Sequence, residues 1–289
     1  AAQGAGVQRF IYLSTAAVHG QAPGPGTDET SPIRGGQLLP YNDAKVQAER
    51  TLRRLRRRGN VEVVFLRPGI VFGPRSPWVT SFVEGLLSGQ AYLVNDGRGI
   101  CNSTYVDNLV HAIHLAMVTH GVDGEVFLIG DKEQITWAEF YRPFAEAMGY
   151  TLNDVHRVPS YPAGQTWQER LEAIRVSRPM RALWSLVPHK VRSAMWTVLR
   201  SYRTIPSPWD PPPPVPRATL EMSLLHQCRY KLPSERASSA LGYEPIVSFA
   251  EGCRRTIAWL AFVGYPVAQS SSWLNSHPFS TAVQEVTHG

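Results

Sequence analysis

The sequence YNDAKVQAERTLRRLRRRGNVEVVFLRPG, at residues 41–69, contains two secondary-structure patterns in direct succession. Apolar residues recur at helical spacing up to Gly59, and glycine is the residue that most often follows a helix end, so the first pattern predicts a helix. The second pattern is a continuous β-branched and aromatic run, and it predicts a buried strand that ends at Pro68 and Gly69. A helix that leads directly into a buried strand is typical of an α/β fold.

The segments on either side continue this alternation. VQRFIYLS at 7–14 predicts an earlier buried strand, so strand, helix and strand follow one another in the order of a parallel βαβ unit. Further elements are predicted up to residue 150, as helices at 76–89, 105–121 and 136–149 and strands at 91–94 and 124–131.

Beyond Tyr150 the pattern changes, because prolines become frequent and strands scarce. Residues 151–267 are predicted to be a mainly helical part and residues 268–289 a disordered tail. Within the helical part, residues 178–203 combine six basic residues with tryptophans and leucines and contain no acidic residue. This composition suits an interfacial helix on a membrane surface, or helices that pack over a substrate cleft, and both interpretations stay open.

Composition limits the classes of protein. With 289 residues and 43% hydrophobic residues, the chain can bury a sizeable core. Its net charge of +6 could indicate a nucleic-acid partner, but arginine so outnumbers lysine that base composition can account for part of the bias, and no nucleic-acid partner is predicted. Cys101, Cys228 and Cys253 have neither the spacing of a zinc site nor the even number of a disulfide framework, so no metal site is predicted.

Two further absences bear on location. The longest apolar run falls well short of the roughly 20 residues that span a bilayer, and the first residues lack the basic and apolar regions of a secretory signal. We therefore expect a cytoplasmic protein, with peripheral membrane contact through 178–203 as the alternative.

A tyrosine and a lysine at helical spacing suggest chemistry. Tyr41 and Lys45 are four residues apart and so share one face of the predicted helix, although an ordinary surface pair has the same spacing. A free tyrosine titrates near pH 10, and a nearby ammonium would stabilise its phenolate. Ser14 and Thr15 follow the first predicted strand, at the carboxyl edge where open α/β sheets bind ligands, and a hydroxyl there could hold a substrate oxygen.

Four segments in this order resemble the extended short-chain dehydrogenase/reductases of the NAD-dependent epimerase/dehydratase type: YLSTAAVHG, PYNDAK, LRPGIVFGP and TYVDNLVHAIHLA. The segment ASSALGYEPIVSFAEGCRRTIAWL is similar to the usual ending of that family. The resemblance covers roughly residues 1–150 and 217–265. It implies an α/β fold with a partial Rossmann-type parallel sheet, a smaller, mainly helical substrate-binding part, and NAD or NADP as the cofactor.

The resemblance also implies roles for individual residues. Thr15 would orient the substrate oxygen, Tyr41 would exchange a proton with a substrate hydroxyl or carbonyl, and Lys45 would lower the pKa of the phenol and bind the nicotinamide ribose. An ordinary solvated loop charge is the alternative for Arg98. The remaining implied contacts are Ser14, Pro68 and Gly69, together with Tyr41 and Lys45, for the cofactor, and Arg98 and Asn102 for the substrate.

One departure from the family pattern concerns the cofactor. Family members bind the dinucleotide pyrophosphate at a glycine-rich turn after the first strand, whereas GAGVQRF at 4–10 lacks the GxGxxG spacing and precedes the wrong strand. We therefore expect the amino-terminal βα units of the sheet to be missing from this chain. The consequences would be an exposed apolar sheet edge and impaired binding of NAD(P).

Three functions are compatible with these features. The first is an epimerase or dehydratase that acts on a nucleotide sugar by transient hydride transfer. The second is a hydroxysteroid-dehydrogenase-like oxidoreductase for an apolar alcohol, and the third is a non-catalytic module that has lost its cofactor half. His19 stands where many family members have tyrosine, which leaves the sugar preference open. By analogy with the family, a homodimer could form through the helices at 41–59 and 76–88.

Overall fold

The computed structural model describes residues 3–160 and 215–268. Residues 3–160 and 216–268 belong to one compact unit. The basic segment at 178–203 and nearly all of the predicted tail lie outside the described residues, and the division of the chain near residue 150 stays a prediction.

Short strands and helices alternate along the described chain, as the sequence predicts. The strands are β1 (Arg9–Leu13), β2 (Glu62–Pro68), β3 (Ile70–Phe72), β4 (Tyr92–Val94), β5 (Ile100–Cys101), β6 (Ser103–Tyr105), β7 (Val126–Ile129), β8 (Ile135–Thr136) and β9 (His156–Val158). The helices are α1 (Pro40–Arg56), α2 (Pro77–Leu87), α3 (Val106–Val118), α4 (Trp137–Ala147), α5 (Leu220–Leu225), α6 (Glu235–Leu241) and α7 (Phe249–Phe262).

The central sheet is parallel and has the strand order β1-β2-β7. Successive side chains of a strand point to opposite faces, so β2 contributes to two cores at once. Val63 and Phe65 pack with Leu52 of α1 on one face, and Val64 and Leu66 pack with α3 on the other. The predicted α/β architecture with a parallel βαβ unit is confirmed.

The two strands of this unit differ in burial. Every residue of β2 from Val63 to Pro68 is buried, whereas in β1 Phe10 is 38% exposed and Leu13 is 39% exposed. Within the described residues, β1 pairs only with β2 and so leaves its other edge uncovered. The prediction of a buried strand at 7–14 is therefore wrong for β1, and the exposed apolar edge is found.

The larger core lies outside the central sheet. The aromatic face of α4 packs with α2 and α7, and its fully buried members include Trp137, Phe140 and Phe144. Three two-stranded ladders accompany this core: β3 with β6 and β4 with β9 are parallel, and β5 with β8 is antiparallel. Helices α6 and α7 contribute buried residues to the same cores as residues 3–160.

Local signals place the helix ends. Thr136 forms the N-cap of α4, because its hydroxyl accepts from the Glu139 amide while the Glu139 carboxylate accepts from the Thr136 amide. Ser76 directly precedes α2, but its hydroxyl donates to the Val71 carbonyl and does not cap the helix. Among the helices at 3–160 and 215–268, none combines the length and the apolar character required to span a bilayer.

Candidate active site

A cleft of about 490 Å³ lies where β1 and β2 end. Six of the predicted site residues line it: Ser14, Thr15, Tyr41, Pro68, Gly69 and Asn102. The structure therefore brings together residues that are up to 88 positions apart in the sequence. Lys45 and Arg98 are not among the lining residues. Much of the remaining wall is apolar and includes Val71, Trp78, Ile100, Trp137, Leu225 and Leu232.

Thr15 lies at the first bend after β1. Its backbone is extended, and the chain then turns into a short 3₁₀ helix at Ala16–His19. The Ala17 amide donates to the Thr15 hydroxyl oxygen at 3.2 Å. Because this bond uses a lone pair of the hydroxyl and not its proton, Thr15 can still donate a hydrogen bond into the cleft.

Tyr41 lies in the first turn of α1, directly after Pro40. Proline suits this position because it has no amide hydrogen to leave unpaired and its φ is already helical. Burial raises the pKa of the Tyr41 phenol above its ordinary value, and the carboxylate of Glu221 raises it further. The phenol is therefore protonated at neutral pH, as a proton donor must be.

Lys45 lies on the same helix face as Tyr41, but its ammonium does not make the expected contact with the phenol oxygen. The ammonium donates to the Leu13 carbonyl at 2.7 Å and lies 5.2 Å from the ring centroid of Tyr12 and 5.7 Å from that of Tyr41. These are cation–π distances, and burial lowers the pKa of Lys45. The expected lowering of the Tyr41 pKa by Lys45 is not seen, because the charge faces the rings and a backbone carbonyl.

The predicted cofactor contacts are only partly free to bind. Ser14 is buried, and its hydroxyl donates to the Glu49 carboxylate at 2.5 Å, so its proton is already engaged within the protein. Pro68 and Gly69 end β2 on the cleft wall. A Cβ at position 69 would overlap the carbonyl oxygen of Asn102, which accepts from the Ile70 amide at 2.7 Å. The close contact that requires glycine at position 69 is therefore a contact with the Asn102 backbone of the same chain.

The two predicted substrate contacts also have partners. The Asn102 side-chain amide donates to the Tyr230 carbonyl at 3.1 Å, and its oxygen accepts from the Leu232 amide at 2.7 Å. Asn102 therefore fixes the segment 228–232 beside the cleft while it lines the wall. Arg98 lies outside the cleft, where its 84% exposed side chain pairs with Asp96, as expected for a solvated loop charge.

A buried polar network adjoins the site. Glu49 and Arg67 form an ion pair with two hydrogen bonds, of 2.9 and 2.6 Å, and both side chains are at most 1% exposed. The other end of the Arg67 guanidinium contacts His19 Nε2 at 2.9 Å. Burial alone would raise the pKa of Glu49, but Arg67 and the Ser14 hydroxyl lower it. This pair was not predicted from the sequence, although Glu49 follows Lys45 by one helical turn and Arg67 follows a run of apolar residues in β2.

The apolar wall of the cleft and the acidic residue on it, Glu221, were also not predicted from the sequence. Trp78 and Trp137 read as ordinary core residues of amphipathic helices, and nothing in their spacing marks them as cleft residues. Glu221 is the one charged residue among those that line the cleft in the described part of the chain. It lies 180 positions after Tyr41, so only the folded chain brings the two residues to one cleft.

Comparison with known proteins decides the family. Residues 1–130 match the NAD dependent epimerase/dehydratase family. They belong to this family. The predicted membership of the extended short-chain dehydrogenase/reductases is confirmed. Thr15, Tyr41 and Lys45 all lie within the matched residues.

Curated relatives of the chain include proteins named as hydroxysteroid dehydrogenases. It is 26% identical over 268 residues to 3beta-hydroxysteroid-dehydrogenase/decarboxylase isoform 2 of Arabidopsis thaliana, a match that covers 87% of this chain and 41% of the relative. It is 33% identical over 156 residues to a 3 beta-hydroxysteroid dehydrogenase/Delta 5-->4-isomerase of Mycobacterium tuberculosis, which covers 52% of this chain and 42% of that protein. The chain thus spans about half the length of the curated relatives that it matches.

Solved structures agree on the fold. A dTDP-glucose 4,6-dehydratase from Streptomyces venezuelae, DesIV, solved as a double mutant with NAD bound, matches with a TM-score of 0.60 and 22% identity, over 90% of this chain and 62% of that one. A UDP-glucuronic acid 4-epimerase from Bacillus cereus in complex with NAD matches with a TM-score of 0.60 and 18% identity, over 91% and 64%. At these identities the likeness establishes a Rossmann-type fold.

Proposed function

We propose that this chain is part of an NAD(P)-dependent oxidoreductase that acts on an apolar alcohol or ketone of the hydroxysteroid type. The observation that carries the proposal is the cleft itself, where Thr15 and Tyr41 share a largely apolar wall with Trp78 and Trp137. A cleft with convergent polar groups on an otherwise apolar lining suits a rigid apolar ligand that bears one reactive oxygen.

The roles of the side chains follow from their hydrogen bonds. The Thr15 hydroxyl, whose oxygen accepts from the Ala17 amide, donates its proton to the substrate oxygen and orients it. The Tyr41 phenol transfers its proton to that oxygen when a carbonyl is reduced, which leaves a phenolate, and the phenolate accepts the proton of the hydroxyl when an alcohol is oxidised. Its raised pKa favours the donor role. The bound cofactor would supply or accept the hydride at the substrate carbon.

The described residues fit one end of the cofactor. Pro68 and Gly69 form an apolar edge of the cleft next to Tyr41, which suits a nicotinamide ring. No glycine-rich strand, turn and helix that would hold the pyrophosphate occurs in residues 3–160 or 215–268. Impaired binding of NAD(P) by residues 1–289 alone stays a prediction, and a micromolar dissociation constant in calorimetry would contradict it.

The lining of the cleft favours an uncharged substrate over a nucleotide sugar. A diphosphate is normally held by arginine, lysine or the amides of a helix terminus, whereas among residues 3–160 and 215–268 the charged residue that lines this cleft is the acid Glu221. The relatives named as 3beta-hydroxysteroid dehydrogenases agree with this choice.

The test is an absorbance assay at 340 nm with NAD⁺ or NADP⁺ at millimolar concentration and a 3β-hydroxysteroid. We expect reduction of the cofactor by the wild-type chain and a loss of about 100-fold or more in the Tyr41→Phe variant, which keeps the ring and removes the proton donor. The Arg98→Met variant is the matched control, because this exposed residue lies outside the cleft. Equal rates for the wild-type and Tyr41→Phe proteins would refute the proposal.

A nucleotide-sugar epimerase or dehydratase is the second candidate. It is supported by the family to which residues 1–130 belong and by Asn102 on the cleft wall. Turnover of a UDP- or dTDP-hexose without turnover of a hydroxysteroid would establish it. Binding of either compound without turnover would instead support the non-catalytic module.

The homodimer through α1 and α2 stays a proposal by family analogy. Analytical ultracentrifugation of residues 1–289 measures it directly, since a monomer and a dimer of 32.1 kDa chains sediment separately. A single monomeric species at tens of micromolar would contradict it.

A further inference from the structure

One buried carboxylate connects the three segments that carry the candidate catalytic site. Glu49 has no exposed surface, and its Oε1 accepts from the Ser14 hydroxyl at 2.5 Å and from Arg67 Nε at 2.9 Å. Its Oε2 accepts from Arg67 Nη2 at 2.6 Å. The carboxylate therefore binds groups at the ends of β1 and β2 while it is part of α1.

Each of these groups is a direct neighbour of a residue on the cleft wall. Ser14 precedes Thr15, and Arg67 precedes Pro68. Glu49 lies on α1 eight residues after Tyr41, so both residues lie on one side of the helix. A shift of Glu49 would therefore move the hydroxyl of Thr15, the end of β2 or the phenol of Tyr41 relative to the others.

His19 extends this arrangement to the turn after Thr15. Arg67 Nη1 donates to His19 Nε2 at 2.9 Å, which requires a neutral imidazole with its proton on Nδ1. His19 ends the 3₁₀ helix that Thr15 begins. Both sides of Thr15 are thus connected to the same guanidinium, through Ser14 and Glu49 on one side and through His19 on the other.

Packing alone does not account for a charged pair at this place. Arg67 follows four buried apolar residues of β2, Val63 to Leu66, and apolar residues of similar volume often replace a buried ion pair without loss of stability. Directional bonds in a dry interior, in contrast, fix the groups that they join in one geometry.

We propose that Glu49, together with Arg67, is a positioning pair of the active site, which holds the Thr15 hydroxyl and the Tyr41 phenol in register across the cleft. The inference rests on the proposed function for the roles of Thr15 and Tyr41. Neither Glu49 nor Arg67 lines the cleft, so the pair acts through its neighbours.

The decisive variant replaces the pair by apolar residues, Glu49→Leu with Arg67→Met. We expect a cooperative thermal transition, a dissociation constant for a 3β-hydroxysteroid within about threefold of wild type, and a kcat lowered about 10- to 100-fold with little change in KM. The matched control replaces the exposed pair of Asp107 and Arg255 in the same way, and we expect a wild-type kcat. A wild-type kcat in the Glu49→Leu, Arg67→Met protein would overturn the proposal.

A second readout does not depend on turnover. The NMR signals of the Ala17 amide, which donates to Thr15, and of the Tyr41 ring report the local geometry directly. We expect both to shift in the apolar variant and to stay unchanged in the control. If the wild-type protein turns over no substrate, the proposed function fails while these signals still decide the positioning role.

The Ser14→Ala variant tests the proposal if the Glu49→Leu, Arg67→Met protein does not fold. It removes the bond from Ser14 to Glu49 and leaves the ion pair intact. We expect the same shift of the Ala17 amide in the same direction, with a kcat lowered about tenfold. An unchanged Ala17 amide together with a wild-type kcat in this variant would overturn the proposal.

Discussion

Strands β1 and β2 lie side by side in one sheet, and both end at the candidate active site, yet they are held in place by different forces. β2 is buried over six consecutive residues and has a parallel neighbour on each edge. β1 has one described neighbour and exposes Phe10 and Leu13. Two walls of one cleft thus depend on strands of unequal burial.

Polar bonds at the ends of β1 compensate for its weak burial. At its start, the Arg9 guanidinium donates to three carbonyl oxygens at the end of α3. At its end, the Ser14 amide donates to Leu66 and the Leu13 carbonyl accepts from Lys45. The comparison indicates that hydrophobic burial fixes β2 and that hydrogen bonds fix β1.

The largest expected difference concerns two phenylalanines on the same face of these strands. Phe65 in β2 is fully buried, so Phe65→Ala should lower the free energy of unfolding by about 3–5 kcal/mol. Phe10→Ala in β1 should lower it by only about 1 kcal/mol, because the ring is already partly in water. Urea unfolding of both variants measures the difference. Equal losses would remove the distinction between the strands.

The next effect tests the end of β2. Gly69→Ala places a methyl group against the Asn102 carbonyl, so the backbone must move, and we expect a loss of about 3 kcal/mol. Gly24→Ala is the control, since the added methyl group meets no atom within 4 Å. A stable Gly69→Ala protein, as judged from its thermal midpoint, would show that this part of the wall is adaptable.

A smaller effect follows from the pKa of His19, which contacts the buried Arg67. Burial, with Arg67, lowers this pKa from 6.5 to about 4. In the unfolded chain His19 binds a proton below about pH 6.5, whereas in the folded protein it does so only below about pH 4. The free energy of unfolding therefore falls as the pH falls through this range. Allowing for solvent screening, His19 should contribute a loss of about 2 kcal/mol.

The His19→Gln variant measures this contribution. Glutamine can still accept from Arg67 but does not titrate, so its stability should depend less on pH between 6.5 and 4 than that of the wild type. His120 is exposed, and the His120→Gln variant is the control for the substitution itself. The same pH dependence in wild type and His19→Gln would contradict the assignment.

The smallest effect concerns the start of β1. Arg9→Met keeps the apolar stem and removes the donors to the Ala116, Met117 and Thr119 carbonyls, so we expect a loss of about 1 kcal/mol. Hydrogen exchange should become faster in the last turn of α3 and in β1, but not in β2. Unchanged exchange in β1 would mean that Arg9 does not hold the strand.

The sequence predicted the fold in most respects. The helix at 41–59 occurs as Pro40–Arg56, and the strand expected to end at Pro68 does so. These predictions succeed because periodicity, proline and glycine act locally. The burial of β1 could not be read in this way, since an apolar strand has the same pattern whether or not a neighbour covers it.

Residues of the candidate site could be predicted where a motif lies within one stretch of the sequence. Thr15 and Tyr41 line the cleft as the family resemblance implies, and their catalytic roles stay a proposal. Arg98 was predicted to contact the substrate, but it does not line the cleft. Its exposed side chain pairs with Asp96 instead. Lys45 shares the helix face of Tyr41 as predicted, but helical spacing does not fix where a long side chain directs its charge, and its ammonium donates to the Leu13 carbonyl.

By itself, the sequence determined the parallel α/β architecture and the membership of residues 1–130 in the epimerase/dehydratase family. It could do so because local patterns and ordered motifs lie within single stretches of chain. Only the tertiary structure decided that Glu49 joins Ser14 to Arg67 and that Glu221 comes to the cleft of Tyr41. The physical reason is that burial and hydrogen-bond partners depend on which distant segments meet, and no local pattern records that.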